Sequence, residues 1–345
     1  MDKKRLTYWD IAKGVAIITY VIGHSPNIPI YLRNIIFSFH MPLFFIANAY
    51  FIKNYDVANT TRKASRSLLL PYCITCLIAS YLEAERNNDL ATNVYIFRDR
   101  IVDMFVGMSK ISTRFTSFQS VWLVWFVICL FFTRVIYVLI MNVCSRIHKS
   151  LALVAVMGLA YIGYWISVNY AFLPWSLDVA LYALPLMYVG DNSRRIIEKH
   201  RDNKRFVPFY GGATILATVL WILLVRKGLV IEMATRSYPG IWICLITAIS
   251  GSLVIVACSR VLEKISFVAP FLIWCGRNSM IILIIHCLEM RFFNWDEYVY
   301  CHLPFLVEGS FYRTWIVKLT FILVCSFVIS KILCFVKSDR LEQAN

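Results

Sequence analysis

Apolar runs of about 15–22 residues follow one another along almost the whole chain, and none alternates polar with apolar residues at a period of two. A bilayer core of about 30 Å takes roughly 20 apolar residues per helix. Backbone groups in lipid must be satisfied internally, which leaves helices or closed barrels, and barrel strands would alternate. The pattern therefore predicts an all-α, polytopic integral membrane protein with about ten transmembrane helices. They are expected near 8–25, 34–52, 67–83, 121–141, 151–168, 175–190, 207–226, 239–258, 273–290 and 316–336, within a single membrane domain covering 1–345. The run at 267–290 contains Pro270 and Gly276, which predict a short interfacial piece ahead of the span. The segment 84–120 reads as a long outer loop. No small-residue cleavage site follows the first run, so it is expected to be a retained span.

Composition agrees: 59% of the residues are hydrophobic and only 16% charged, too few to cover a soluble protein of 345 residues. The net charge of +15 is distributed unevenly. With the N-terminus in the cytoplasm, 20 of the 35 Lys and Arg residues fall in inner segments and 12 in outer ones. This positive-inside bias predicts cytoplasmic N- and C-termini. It also accounts for the basic charge without nucleic acid, since no soluble domain interleaves basic with aromatic residues. The eleven cysteines lie mostly inside apolar runs, where they act as small hydrophobes. "CITC" at 73–76 lacks a second ligand pair, so neither a metal site nor a disulfide framework is predicted.

Ionisable residues inside spans are costly and usually face a protein interior or a water-filled cavity. Here they are Asp10, Lys13, His24, His40, Arg134, Asp178, His286 and Glu289, with Arg277 at a span entrance. At about 100° per residue, Asp10, Lys13, Tyr20 and His24 share one stripe of the first helix. One reading makes Asp10 and Lys13 an interfacial ion pair with His24 at the outer surface. The other makes the stripe functional. His40 precedes Pro42 and is either a site residue or a buried imidazole bonded to a carbonyl freed by the proline. His286 lies one turn before Glu289, which either orients it or merely satisfies it, while Asn278 and Ser279 suit a helix cap as well as a ligand site. Arg134 and Asp178 are candidates to pair across helices. Arg62, Lys63 and Arg66, ahead of Pro71, serve either topology or anion binding at a helix N-terminus.

"RLTYWDIAKGVAIITYVIGH" resembles the opening of the acyltransferase-3 family, multi-span membrane acyltransferases in which a basic residue and a histidine eleven positions later mark the first span. "FSFHMPLFFIANAYF" is similar to the second-span signature, "RKASRSLLLPY" to the basic pair ahead of the third span, "VWLVWFVICLF" to a Trp-Phe span, and "WCGRNSMIILIIH" to a late Gly-x-Asn-Ser segment ending in histidine. The ordered set covers nearly the whole chain. Asn48-Ala49 replaces the family's usual Ser-Gly, and Lys13 stands where arginine is common.

The resemblance implies an O-acyltransferase, most specifically an O-acetyltransferase. It would move an acetyl group from cytoplasmic acetyl-CoA, a co-substrate rather than a bound cofactor, to a hydroxyl of a bacterial cell-surface polysaccharide or lipid-linked sugar at the inner membrane. On that basis His24 and Asp10 are the expected catalytic residues, with His24 as general base and Asp10 pairing with Lys13. Lys13, Lys63 and Arg66 are expected to bind the acyl-CoA phosphates. His40, Asn278, His286, Glu289 and Asp178 are expected to support the site or bind the glycan acceptor. Two rival readings are a glycan exporter or proton-coupled transporter, which needs an internal repeat that the sequence lacks, and a non-catalytic membrane partner.

Overall fold

A chain in hydrocarbon satisfies its backbone most simply by helix, and helices occupy all ten predicted segments. The computed structural model describes residues 6–25, 28–86, 89–109, 120–148, 150–170, 172–200, 203, 206–307 and 313–342. In chain order the helices are α1 (Thr7–Gly23), α2 (Ile30–Tyr50), α3 (Val57–Ala64), α4 (Leu70–Ala84), α5 (Leu90–Val106), α6 (Trp125–Ile147), α7 (Leu151–Asn169), α8 (Leu177–Tyr182), α9 (Leu184–Lys199), α10 (Phe206–Arg226), α11 (Ile241–Leu262), α12 (Ala269–Arg277), α13 (Ser279–Phe292), α14 (Trp295–His302) and α15 (Thr314–Glu342). Of the basic residues expected on the inner side, Lys3, Lys4, Arg5, Lys149, Arg201, Lys204 and Arg205 lie outside the described residues.

Among the described residues, seven helices are long and apolar enough to cross a membrane: Ile30–Tyr50, Val57–Ala84, Trp122–Ile147, Leu151–Asn169, Pro208–Arg226, Ile241–Leu262 and Thr314–Val336. An eighth is added if α12 and α13, bent by 70° at Asn278, count as one broken span. The remaining two predicted spans are less regular. Helix α1 has 17 residues, about 25 Å of rise against a core of about 30 Å. The segment 175–190 divides at Ala183, where Pro185 in the first turn of α9 prevents continuous pairing.

One local expectation is sharpened and another changes. The run at 267–290 is broken into the short α12 and then α13, with the bend at Asn278, two residues after Gly276, while Pro270 occupies the first turn of α12, where its missing N–H costs nothing. The long loop contains α5, which starts at Asp89: its carboxylate accepts the Thr92 N–H at 2.9 Å and the Thr92 hydroxyl. Those bonds, the hydroxyl's first, hold the exposed Asp89 carboxyl below its ordinary range. The cap is therefore complete above the ordinary carboxylate range and is lost as pH falls through the depressed value. The protection factors of the Thr92 and Asn93 amides, taken against the intrinsic exchange rate at each pH, should fall at acid pH, and at neutral pH in Asp89→Ala. Equal exchange in both proteins would refute the cap.

The described residues fall into two compact units, one of residues 1–40 and 255–345 and one of 41–254, the boundaries lying within α2 and α11. In the first unit α1 lies directly against α12. Neither Gly14 nor Gly276 leaves room for a side chain: a methyl at Gly14 would overlap the carbonyl oxygen of Leu272, and one at Gly276 that of Asp10. Around this contact Ile11, Ala269 and Leu272 form a buried cluster flanked by Val15, Ile18, Val268 and Ile273.

In the second unit the buried Asp178 pairs with Arg236, not with Arg134. Arg236 Nε donates to it at 2.8 Å and a terminal nitrogen at 3.0 Å, and the Ser167 hydroxyl donates at 2.9 Å. Arg236 lies between α10 and α11 at a φ of 56° and stacks over Phe172 at 4.2 Å. The pattern of apolar runs placed that arginine in an outer loop, whereas the buried carboxylate draws it inward. At the other end of this unit Asp191 accepts from Tyr137 at 2.9 Å, Arg194 at 3.0 Å and Arg195 at 3.2 Å, and also from Tyr55.

Candidate active site

Helix α1 ends at Gly23, and His24 follows as its C-cap. The His24 ring turns back onto the helix, with Nδ1 2.9 Å from the carbonyl oxygen of Tyr20. A carbonyl can only accept, so Nδ1 carries the hydrogen and, in the neutral ring, Nε2 keeps its lone pair. His40 repeats the arrangement on α2, with Nδ1 2.8 Å from the Ile36 carbonyl. That is not the carbonyl freed by Pro42, which belongs to Ser38 four residues before the proline. His286 on α13 is fixed differently, with Nδ1 2.7 Å from Oε1 of Glu289.

The three imidazoles converge. The His24 ring centroid lies 6.2 Å from that of His40 and 5.7 Å from that of His286. Tyr20 stands among them, with centroids at 4.3, 5.2 and 5.4 Å from His24, His40 and His286. His40 and His286 are buried, and the Nε2 atom of each has no hydrogen-bond partner among the described residues. His24 is partly exposed. His24, His40 and His286 thus form one cluster of imidazoles around Tyr20, each with its Nδ1 committed to an acceptor. No group of three or more His, Cys, Asp or Glu among the described residues is arranged to hold a metal ion.

Behind His286 the carboxylate of Glu289 is surrounded by donors. Oε1 also receives Lys318 Nζ at 3.2 Å, and Oε2 accepts the Trp295 indole N–H. Glu289 and Lys318 are both about 2% exposed. Trp295 is held by stacking on Phe293 at 5.4 Å and by Phe321 at 5.2 Å. A bond of 2.9 Å from Thr314 to Asp296 ties α14 to α15.

At the opposite end of α1 the buried Asp10 accepts from Lys13 at 3.0 Å and Arg277 at 3.2 Å. The bare glycine at 276 is what lets α12 bring Arg277 so close. Asp10 lies fourteen residues from His24, about 21 Å along the axis, and therefore does not orient that imidazole. Asn278 does not cap α13; its side-chain amide donates back to the Trp274 carbonyl at 2.9 Å and finishes α12.

A family model for an acyltransferase domain, that of the acyltransferase-3 family, matches residues 6–335. The chain belongs to the acyltransferase-3 family. No curated protein and no solved structure matches it. Membership makes it a multi-pass membrane acyltransferase, and the family resemblance drawn from the separate motifs extends over 330 residues.

Against this acyltransferase, the predicted site residues sort by place. His24, His40, His286 and Glu289 come together, while Asp10 and Lys13 form a second centre with Arg277. Lys63 and Arg66 lie in the second unit, one turn apart and both exposed. Pro71 does not open a fresh helix beside them. Helices α3 and α4 run on as one through a π turn at Ser65–Leu69, which absorbs Pro71, and the true N-terminus is at Val57, capped by Asp56. Asp178 belongs to the separate Arg236 network. Sequence reasoning missed Lys318 by counting it with the outer charges. Its position inside "TWIVKLTFILV" marked it as an intramembrane cation. Nothing in the sequence pointed to Trp295.

Proposed function

We propose that this acyltransferase moves an acetyl group from cytoplasmic acetyl-CoA to a hydroxyl of a surface polysaccharide or lipid-linked sugar, at the inner membrane of a bacterium. The observation that carries the reading is the His24 ring, whose Nδ1–H is committed to the Tyr20 carbonyl and whose Nε2 is free to take a proton. In the proposed step the acceptor hydroxyl oxygen attacks the thioester carbonyl carbon as Nε2 removes the hydroxyl proton. The C–O bond forms, the C–S bond breaks, and the proton passes from His24 to the departing thiolate. No covalent enzyme intermediate is required.

The other two imidazoles have a narrower role than their chemistry would otherwise allow. With hydrogen on Nδ1, Nε2 of neutral His40 and His286 accepts hydrogen bonds and cannot donate one to the thioester oxygen. They therefore suit sugar hydroxyls, and we assign them to the acceptor. Lys13 is assigned the donor's phosphates. It lies eleven residues from His24, about 16 Å along the helix, a distance an extended pantetheine arm spans. Lys63 and Arg66 are assigned to donor phosphates on the family resemblance and on their shared exposed helix face.

The reading is tested by mass spectrometry of surface glycan from cells with and without this protein. Acetyl esters should vanish on deletion and return with the wild-type gene. Unchanged acetylation with an altered amount of exported glycan would favour transport. Lys13→Ala should raise KM for acetyl-CoA about tenfold with kcat within about threefold, because it removes a contact to a part of the donor that does not react. A fall in kcat alone would place Lys13 elsewhere in the mechanism.

A further inference from the structure

Lys318 is a cation on an apolar helix, and most such lysines run their stems outward until the ammonium reaches water. Lys318 does not. Its side chain is 2% exposed, and its ammonium holds two acceptors, Glu289 Oε1 at 3.2 Å and the backbone carbonyl of His24 at 3.4 Å. Both contacts lead to an imidazole. The same Glu289 oxygen lies 2.7 Å from His286 Nδ1, and the His24 carbonyl belongs to the residue whose ring faces His286 at 5.7 Å. That carbonyl lies past the last turn of α1, where helix carbonyls lack intrahelical donors and a cation is favoured.

We propose that Lys318 is the positioning residue of the acyl-transfer site, joining the His24 and His286 imidazoles through one buried ammonium. The inference rests on the reading of His24 as base. Three donors converge on Glu289: an imidazole N–H, an indole N–H and the ammonium. The carboxylate is thereby kept as an acceptor, and His286 keeps its hydrogen on Nδ1. The second contact fixes the backbone from which His24 projects. Without the ammonium, the His24 backbone loses its tie to α15, and Glu289 retains only its two neutral donors. Lys318 touches neither reacting atom in this scheme. Its loss should alter how often the two rings are aligned, a kcat effect, and leave donor binding in place.

The test uses membrane vesicles carrying the full chain and its endogenous acceptor, with isotope-labelled acetyl-CoA as the probe. Lys318→Met should lower kcat at least tenfold while KM for acetyl-CoA stays within about twofold, and Lys318→Arg should recover part of the loss. The double variant Glu289→Gln with Lys318→Met removes both charges and guards against a folding failure of the single one. It should be present at wild-type abundance and remain slow, because neutralising the pair restores no tie to the His24 carbonyl. Wild-type kcat in Lys318→Met, or in the double variant, overturns the inference and reduces Lys318 to a counter-ion. His24→Ala run in parallel separates the two readings. Activity in His24→Ala sinks the base assignment, whereas an inactive His24→Ala beside a wild-type Lys318→Met sinks only this one.

Discussion

His24→Ala protein, at wild-type abundance in the membrane, is expected to transfer acetyl groups at least about 100-fold more slowly than the wild type, in the range that general-base catalysis contributes. The loss should appear in kcat, because the imidazole acts on the acceptor proton as the bond forms rather than on the resting donor. Alanine alone leaves a doubt, since His24 also closes the end of α1 by returning its Nδ1–H to the Tyr20 carbonyl. His24→Asn resolves it. The asparagine amide N–H stands near the place of Nδ1–H and preserves the cap, but nothing replaces Nε2. His24→Asn should therefore fold as the wild type does and be as inactive as His24→Ala. Wild-type turnover in His24→Asn would assign the histidine to capping and end its role as base. His40→Ala and His286→Ala give the contrast. If their Nε2 atoms receive sugar hydroxyls, their main effect falls on KM for the glycan, measured as the acceptor dependence of the rate.

How much of this was legible in the sequence depends on which physical constraint spoke. Lipid leaves a long apolar run few alternatives, so every predicted span is helical. Helix α5 was hidden because its charges read as a solvated loop. Arg100 instead pairs with Glu83 on α4 at 3.2 Å and with Asp103 at 2.6 Å, and the Tyr72 hydroxyl donates to the Met104 carbonyl at 2.6 Å. The stripe Asp10, Lys13, Tyr20, His24 followed from helix geometry alone, but what each end does depends on other helices. Arg277 reaches Asp10 only because Gly276 is bare, and His286 meets His24 from a helix that turns by 70° after Asn278. Neither fact is local.

The partner of Asp178 shows the same limit from the other side. Arg134 was the obvious guess, being the other charge within an apolar run. The arginine actually used sits between α10 and α11 in the left-handed region, where nothing marks it in the sequence. Lys318 differs from both. Its burial among apolar neighbours was readable, and only the habit of assigning a cation near a span end to the adjacent loop concealed it.

Gly276→Ala should cost the folded protein at least about 2 kcal/mol, at the upper end of the usual penalty for overpacking, because the added methyl meets backbone and not a side chain that can rotate away. It would overlap the Asp10 carbonyl oxygen and come against Gly14 N at 3.0 Å, so α1 and α12 must separate along the line that Gly14 and Gly276 share. Separation weakens the Asp10–Arg277 pair and uncovers Ile11 and Leu272. It also moves the helix that carries Lys13 and His24, so activity should fall with stability. The proper controls are other helical glycines. A methyl at Gly158 on α7 or Gly211 on α10 meets nothing within 4 Å. Alanine at those sites should be neutral or stabilise by about 0.5–1 kcal/mol through helix propensity. Thermal unfolding in detergent, followed by loss of the monodisperse species, reads all three. A Gly276→Ala protein that melts with the wild type would mean that α1 and α12 do not meet backbone to backbone, and the Asp10 ion-pair centre would then need another explanation.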